Sequence, residues 1–269
     1  MAEFTAKDVQ NLRNLTGAGM MDAKRALTES GGDATAAAKW LRERGLGKAA
    51  ERAGRDSQEG AVAVSYDAGA NAIALVQLRS ETDFGAKSPD FVNLVNELAA
   101  LVAAEGEDAV SQRKEAIEDL NIVTKENVQL GEVWRFQAAA GNALGSYLHV
   151  QNDRGVNGVI VELSGADEDM AHDVAVHIAF GKPRYLRRED VPAEEVEAER
   201  STLEAETRRE GKPEAAMGKI VEGKLGGWFK RVPGGALLEQ PYAKDDSHTV
   251  AQVLGSAQVV RFAQVVIGG

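Results

Sequence analysis

The sequence predicts an α+β protein: a bundle of three helices, then two related α+β subdomains built on small antiparallel sheets, with a helical hairpin protruding from the second. Three observations predict it. Helical periodicity interrupted by glycine pairs fills the first fifty residues. A hairpin-plus-helix pattern occurs twice, with Gly145 and Leu163 standing 85 positions after Gly60 and Leu78. A stretch rich in acids, beginning near Arg187, carries too few apolar residues to be core. The expected units are residues 1–55 (bundle and basic linker), 56–140 (first subdomain), 141–187 (second subdomain, first part), 188–228 (hairpin) and 229–269 (completion of the second subdomain and a closing strand).

Thr5-Ala6-Lys7-Asp8 has the spacing of a capping box and precedes Val9, Leu12 and Leu15 on one face, which places a first helix from about Ala6 to Asn14. Thr16-Gly17-Ala18-Gly19 breaks it. Periodicity resumes from Met20 to Leu27, stops at Gly31-Gly32, and restarts after Asp33, a cap for a third helix carrying Ala37, Trp40 and Leu41. Met20 and Met21 point about 100° apart on a helix and cannot both face a narrow core, so one of them is expected near the surface; the pair is either a helix start with one methionine filling a gap or a thioether offered for docking. Gly45-Leu46-Gly47-Lys48 through Arg55 is basic and glycine-punctuated and reads as a linker.

Gly60 to Tyr66, a turn at Asp67-Ala68-Gly69, and Asn71 to Leu78 read as a hairpin. Ala72 to Leu78 is too continuously apolar to be half wet, so a strand buried on both faces is expected there, ending near Arg79. Ser88-Pro89-Asp90 opens a helix bearing Phe91, Leu94, Val95, Leu98, Leu101 and Val102. Between strand and helix lies Glu81-Thr82-Asp83-Phe84-Gly85, a short loop around which the reading of the rest of the chain is organised. Phe84 either folds back under the helix to finish the core or projects beside Asp83 as a rigid aromatic suited to a partner's pocket. The second hairpin, Gly145 to Val150 and Gly158 to Leu163, is followed by a helix from Asp167, but its own exit is Ser164-Gly165-Ala166, with no aromatic.

Pro192 starts a polar helix with Val196 and Leu203 seven apart; Gly211-Lys212-Pro213 ends it, and Glu214 to Lys224, with Met217, Ile220 and Val221, forms its partner. This pair is expected to stand away from the core, as an arm that touches a partner or as a solvated spacer. Leu237 to Tyr242 re-enters folded structure, Ser247 is expected to cap a short helix through Val250 and Leu254, and Val259 to Ile267 closes as a strand on the second sheet.

A net charge of −11 argues against a protein that grips phosphate backbones, so no direct nucleic-acid contact is expected. Without cysteine there is no disulfide, thiolate metal site or cysteine nucleophile. Met1-Ala2-Glu3-Phe4-Thr5 shows no basic-then-apolar leader, and no apolar run reaches the roughly 20 residues of a membrane span, so a cytoplasmic protein is expected. Phosphate-loop, dinucleotide and nucleophile-elbow motifs are missing. His172 and His177 are five apart, off the spacing for one helical face, and no metal site is expected there. An enzyme using His149 with Asp83 or Glu81 as acid and base is the competing class, and an adaptor without effect on nucleotide a third; neither has a supporting motif.

Leu12-Arg13-Asn14-Leu15-Thr16-Gly17-Ala18-Gly19-Met20-Met21-Asp22-Ala23-Lys24-Arg25-Ala26-Leu27 and Glu81-Thr82-Asp83-Phe84 resemble the two signatures of the bacterial translation elongation factor Ts family. Gly211-Lys212-Pro213, Leu238-Glu239-Gln240-Pro241 and Val259-Val260-Arg261-Phe262 follow in that family's order, so the resemblance spans the chain. Gly85 departs from it where valine is usual, and Ala23 where cysteine is frequent. The resemblance implies a guanine nucleotide exchange factor, not an enzyme, acting on the GDP-bound and nucleotide-free forms of elongation factor Tu. It implies a ubiquitin-associated (UBA)-like N-terminal bundle and a coiled-coil hairpin. Thr82, Asp83, Phe84 and Gly85 would enter the GTPase and dislodge its magnesium; Arg13, Met20 and Met21 would hold its nucleotide domain; His149 would touch it elsewhere. No cofactor is implied, and a homodimer is left open.

Overall fold

The computed structural model describes residues 4–268; Met1-Ala2-Glu3, the start of the segment read above for a leader, and Gly269 lie outside the described residues. The chain opens with α1 (Ala6–Thr16), α2 (Met20–Glu29) and α3 (Ala34–Arg52). Thr5 and Asp8 close the reciprocal capping box at the start of α1, and the Asp33 carboxylate accepts the Thr35 and Ala36 N–H groups at the start of α3. Val9, Leu12, Ala23, Ala26, Leu27, Ala37 and Leu41 form the core of this unit.

The first sheet has the order β1-β2-β3, antiparallel, from β1 (Glu59–Asp67), β2 (Ala72–Ser80) and β3 (Gln129–Gln137). Between β2 and β3 run a one-turn helix α4 (Asp83–Ala86), α5 (Pro89–Glu105), a 3-10 stretch and α6 (Lys114–Thr124). The sequence reading contained neither β3 nor α6. Its linker also needs correction: α3 continues through Gly45 and Gly47 to Arg52. Glycine in a helix costs about 1 kcal/mol relative to alanine, but Gly45 lets α3 lie against α6, where a Cβ would stand 2.8 Å from Ile122 Cγ1. Arg42 beside Asp119, and Arg52 donating to the Asn121 carbonyl at 2.9 Å, complete that contact.

The second sheet has the order β4-β5-β8, again antiparallel, from β4 (Asn142–Gln151), β5 (Arg154–Ser164) and β8 (Gln258–Val266). After β5 come α7 (Glu168–Gly181), α8 (Ala193–Arg209) and α9 (Met217–Phe229), then β6 (Pro241–Tyr242), β7 (Asp245–Thr249) and α10 (Val250–Leu254). Helices α8 and α9 pack through Leu203, Met217, Val221, Leu225 and Phe229, with α9 extending beyond the Lys224 expected. The cap of α10 is Thr249, not Ser247: Thr249 and Gln252 form a reciprocal capping box, while Ser247 lies in β7.

The two sheets face each other between two helical layers. Val62, Ile73, Leu75, Phe136, Ile160, Ala263 and Val265 fill the space between sheets, whereas Ala74, Val76 and Leu78 turn to α5, and Val159, Val161 and Leu163 to α7. Ala72 to Leu78 is therefore buried on both faces, as its unbroken apolar run predicts. Close approach is built into β5, since a Cβ at Gly158 would stand 2.5 Å from Leu75 Cδ1. Polar groups bind the sheet edges: Arg154 donates to the Gly60 carbonyl and to Glu59 (2.9 Å), and Arg261 to Glu162 (2.7 Å) and the Gln137 carbonyl (2.8 Å).

Candidate functional site

Strand β2 delivers the chain to one end of the first sheet, where Ser80 is its last residue and is buried. Thr82 is extended and caps α4, its hydroxyl accepting the Gly85 N–H at 3.2 Å. The expected loop is thus a single helical turn. Ala86 packs inward and Ser88, with Pro89 as first helical residue, starts α5; the Ser88 hydroxyl donates back to the Gly85 carbonyl at 2.9 Å. The turn is gripped from both ends: Gly85 and Ala86 are buried, and the side chains of its first two residues, Asp83 and Phe84, reach solvent.

Phe84 is 83% exposed. That decides between its two sequence readings: it is no part of the core beneath α5, which is closed by Phe91 and Leu98. The Lys87 ammonium sits 5.8 Å from the centre of the Phe84 ring and also bonds the Asp83 carboxylate. The Lys87 hydrogen bond holds Asp83 below the usual carboxylate range, with burial opposing and the charges of Lys87 and Arg154 helping. An ionised acid and an aromatic ring are thereby presented side by side with one cation between them.

A second group of residues supports the turn from below. Glu126 Oε1 accepts the Thr82 hydroxyl proton at 2.6 Å and its Oε2 accepts the Thr82 N–H at 3.1 Å and the Ser80 hydroxyl. Glu81 accepts the Asn127 N–H at 2.7 Å. Neither Glu126 nor Lys87 was named from the sequence. Lys87 stands four residues after Asp83, a spacing that carries meaning only once the segment is known to be helical; Glu126 is 44 positions from Thr82, beyond any local pattern.

The remaining expected residues lie on other elements. Arg13 is exposed on α1, and Met20 (48% exposed) and Met21 (73%) both face outward, together with Leu15 (75%), which sequence periodicity had placed on the inner face. Ala23, Ala26 and Leu27 fill the inward stripe of α2, leaving both methionines outside. His149 is exposed near the end of β4. Among the described residues no hydrogen bond or ion pair joins His149 to Asp83 or Glu81, whose carboxylates are taken by Lys87, Asn127 and Arg55. Among the described residues no group of three or more His, Asp or Glu side chains could hold a metal ion, and no helix is long and apolar enough to cross a membrane.

Residues 81–269 match the family model described as Elongation factor TS. A protein of Clavibacter michiganensis subsp. michiganensis named Elongation factor Ts is 43% identical over the whole of both chains. The chain belongs to the elongation factor Ts family. Members from Streptomyces griseus (44% identical, all of both chains) and Acidothermus cellulolyticus (43% identical, all of this chain and 99% of the relative) extend the match. As a member of the elongation factor Ts family the chain is an elongation factor of protein biosynthesis, and its Asp83-Phe84 turn lies within the matched region.

Proposed function

We propose that this chain is the guanine nucleotide exchange factor of elongation factor Tu, binding its GDP and nucleotide-free forms and inserting Asp83-Phe84 beside the magnesium site. Family membership supports exchange, and the single observation that carries the insertion is Phe84, exposed on a turn clamped at both ends. Leaving a phenylalanine in water forgoes roughly 1.5–3 kcal/mol of burial. A rigid, pre-placed ring recovers that on entering a partner and loses little side-chain entropy in doing so.

Displacement of the cation removes the bridge that neutralises the diphosphate, and GDP leaves. No bond within a substrate is made or broken, so the chain needs no nucleophile, cofactor or metal of its own. Exchange requires tighter binding to the nucleotide-free GTPase than to its GDP form, and by linkage GDP weakens the factor by the same ratio. In this reading Arg13, Met20 and Met21 hold the nucleotide domain, and His149 with the second subdomain touches the GTPase elsewhere. The partner is a protein, with neither nucleic acid nor membrane involved, in the cytoplasm. The units are a UBA-like bundle (1–55), two subdomains (56–140; 141–187 with 229–269) and a coiled-coil arm (188–228).

The test is stopped-flow release of a fluorescent GDP analogue from elongation factor Tu, with wild type and Phe84→Ala. Wild type should accelerate release, and Phe84→Ala should lose about thirtyfold or more, the size of an interface hot spot. Its thermal unfolding should match wild type, because the ring touches no core cluster. A folded wild type without effect removes the exchange reading; a fully active Phe84→Ala removes the insertion.

A further inference from the structure

We infer that Glu126 is the positioning residue of the Asp83-Phe84 turn, its carboxylate occupying the space left by the absent side chain of Gly85. The inference rests on the exchange reading for its consequence, but not for its geometry.

Helix α4 is four residues long and closes with little more than the Ala86 N–H to Thr82 carbonyl bond (3.2 Å) and the Lys87 N–H to Asp83 carbonyl bond (3.1 Å). A single turn fixes several dihedrals for one or two hydrogen bonds and does not hold by itself. Its orientation must come from outside. Glu126 supplies it, accepting from Ser80, from Thr82 N–H and from the Thr82 hydroxyl, all neutral donors. The Thr82 hydroxyl has one proton. By donating it to Glu126, Thr82 keeps its lone pairs turned to the Gly85 N–H, so the carboxylate sets the direction of the cap itself.

Gly85 makes room for this arrangement. A Cβ at that position would stand 2.5 Å from Glu126 Oε2, 2.7 Å from its carboxyl carbon and 2.8 Å from Oε1. Any larger side chain would turn Glu126 out and free the base of α4. Gly85 and Glu126 are therefore one device. Glu126 also follows directly on α6, whose last residue is Thr124 and whose Lys125 cap is left-handed at φ 62. The turn that carries Phe84 is thus tied to the helix on which α3 packs, and through it to the bundle bearing Arg13, Met20 and Met21.

The experiment uses the full chain with E126A, E126Q, G85V and the double variant G85V/E126A. Two quantities are read: the maximal rate of GDP-analogue release from elongation factor Tu with its half-saturating concentration, and amide hydrogen exchange of residues 82–87 in the free protein. E126A should lower the maximal rate about tenfold and speed exchange of those amides by a similar factor, the scale of hydrogen bonds to a charged group. The half-saturating concentration should stay within about twofold, because the docking surfaces are untouched. E126Q should recover only part of both, since its carbonyl oxygen still accepts from Ser80 and the Thr82 N–H while its amide cannot take the Thr82 hydroxyl proton. G85V should resemble E126A, and the double variant should be no worse than either single, because both remove the same contact.

Wild-type rate and protection in folded E126A would overturn the inference, as would a double variant whose losses add, or an E126Q as deficient as E126A. If E126A does not fold, E126Q and G85V decide by the same readouts. If wild type fails to release GDP, the exchange reading falls while amide protection at residues 82–87 still decides the role of Glu126.

Discussion

His177 is the one buried histidine of the four, carried by α7 with its ring 5.7 Å from that of Tyr242 in β6. Nδ1 accepts the Ala243 N–H at 3.1 Å, so Nε2 carries the proton and donates to Gln240 Oε1 at 2.9 Å. Burial lowers its pKa below the ordinary imidazole value of 6.5, with the Gln240 bond opposing. Below 6.5 the unfolded chain takes up a proton that the folded chain refuses, so the contribution is complete above that pH and is lost as pH falls through the lower folded value. Chemical denaturation should show a midpoint that falls as pH drops below about 6.5, a window that opens above the carboxylates. At this same scale Phe84 and Asp83 could be picked out from neighbouring letters, since an acid beside an aromatic in a strand-to-helix turn is a local pattern. Their supports Glu126 and Lys87 could not, because one comes from a distant segment and the other depends on a helix the letters do not announce.

Sheets and helices here meet at glycine. A Cβ on Gly155 of β5 would stand 2.1 Å from the Val62 carbonyl oxygen of β1, a backbone atom that no rotamer change can move. Gly155→Ala should therefore separate the sheets and cost about 3 kcal/mol in urea denaturation, toward the upper range of overpacking. Gly223 of α9 is the opposite case, exposed with nothing within 4 Å of a Cβ. Gly223→Ala should stabilise by about 0.5–1 kcal/mol through helix propensity alone. Periodicity recovered most of these elements because it reports which face is dry. It missed β3, which buries only Phe136 and follows neither an unbroken apolar run nor a clean alternation, and it broke α3 at Gly45, where packing against Ile122 outweighs the cost of glycine.

Across the whole molecule, exchange as proposed needs the bundle and the Phe84 turn held in register. That register passes through the α3–α6 contact, where Gly45 meets Ile122 and Arg42 lies among Glu115, Glu118 and Asp119. Gly45→Val should push α3 from α6 and move Arg13, Met20 and Met21 relative to Phe84. The expected result is a half-saturating concentration raised about tenfold with a nearly unchanged maximal rate, the signature of lost docking. Small-angle scattering should show the accompanying change in shape, and amide protection of the two sheets should stay as in wild type.

The letters alone determined the α+β class, the two hairpins, the caps at Thr5 and Asp33 and the family signatures, because each rests on residues near one another along the chain, where caps, turns and apolar periods act. Tertiary structure decided that Phe84 is outside, that both methionines of α2 are outside with Leu15, and that Glu126 lies under the turn. Those outcomes depend on which segment occupies a given space in the folded chain. Ala23 and Leu27 fill the inner face of α2, Phe91 fills the place beneath α5, and a carboxylate from the end of α6 fills the gap at Gly85. Volume and hydrogen-bond donors are shared among distant segments, and only the folded chain settles that sharing.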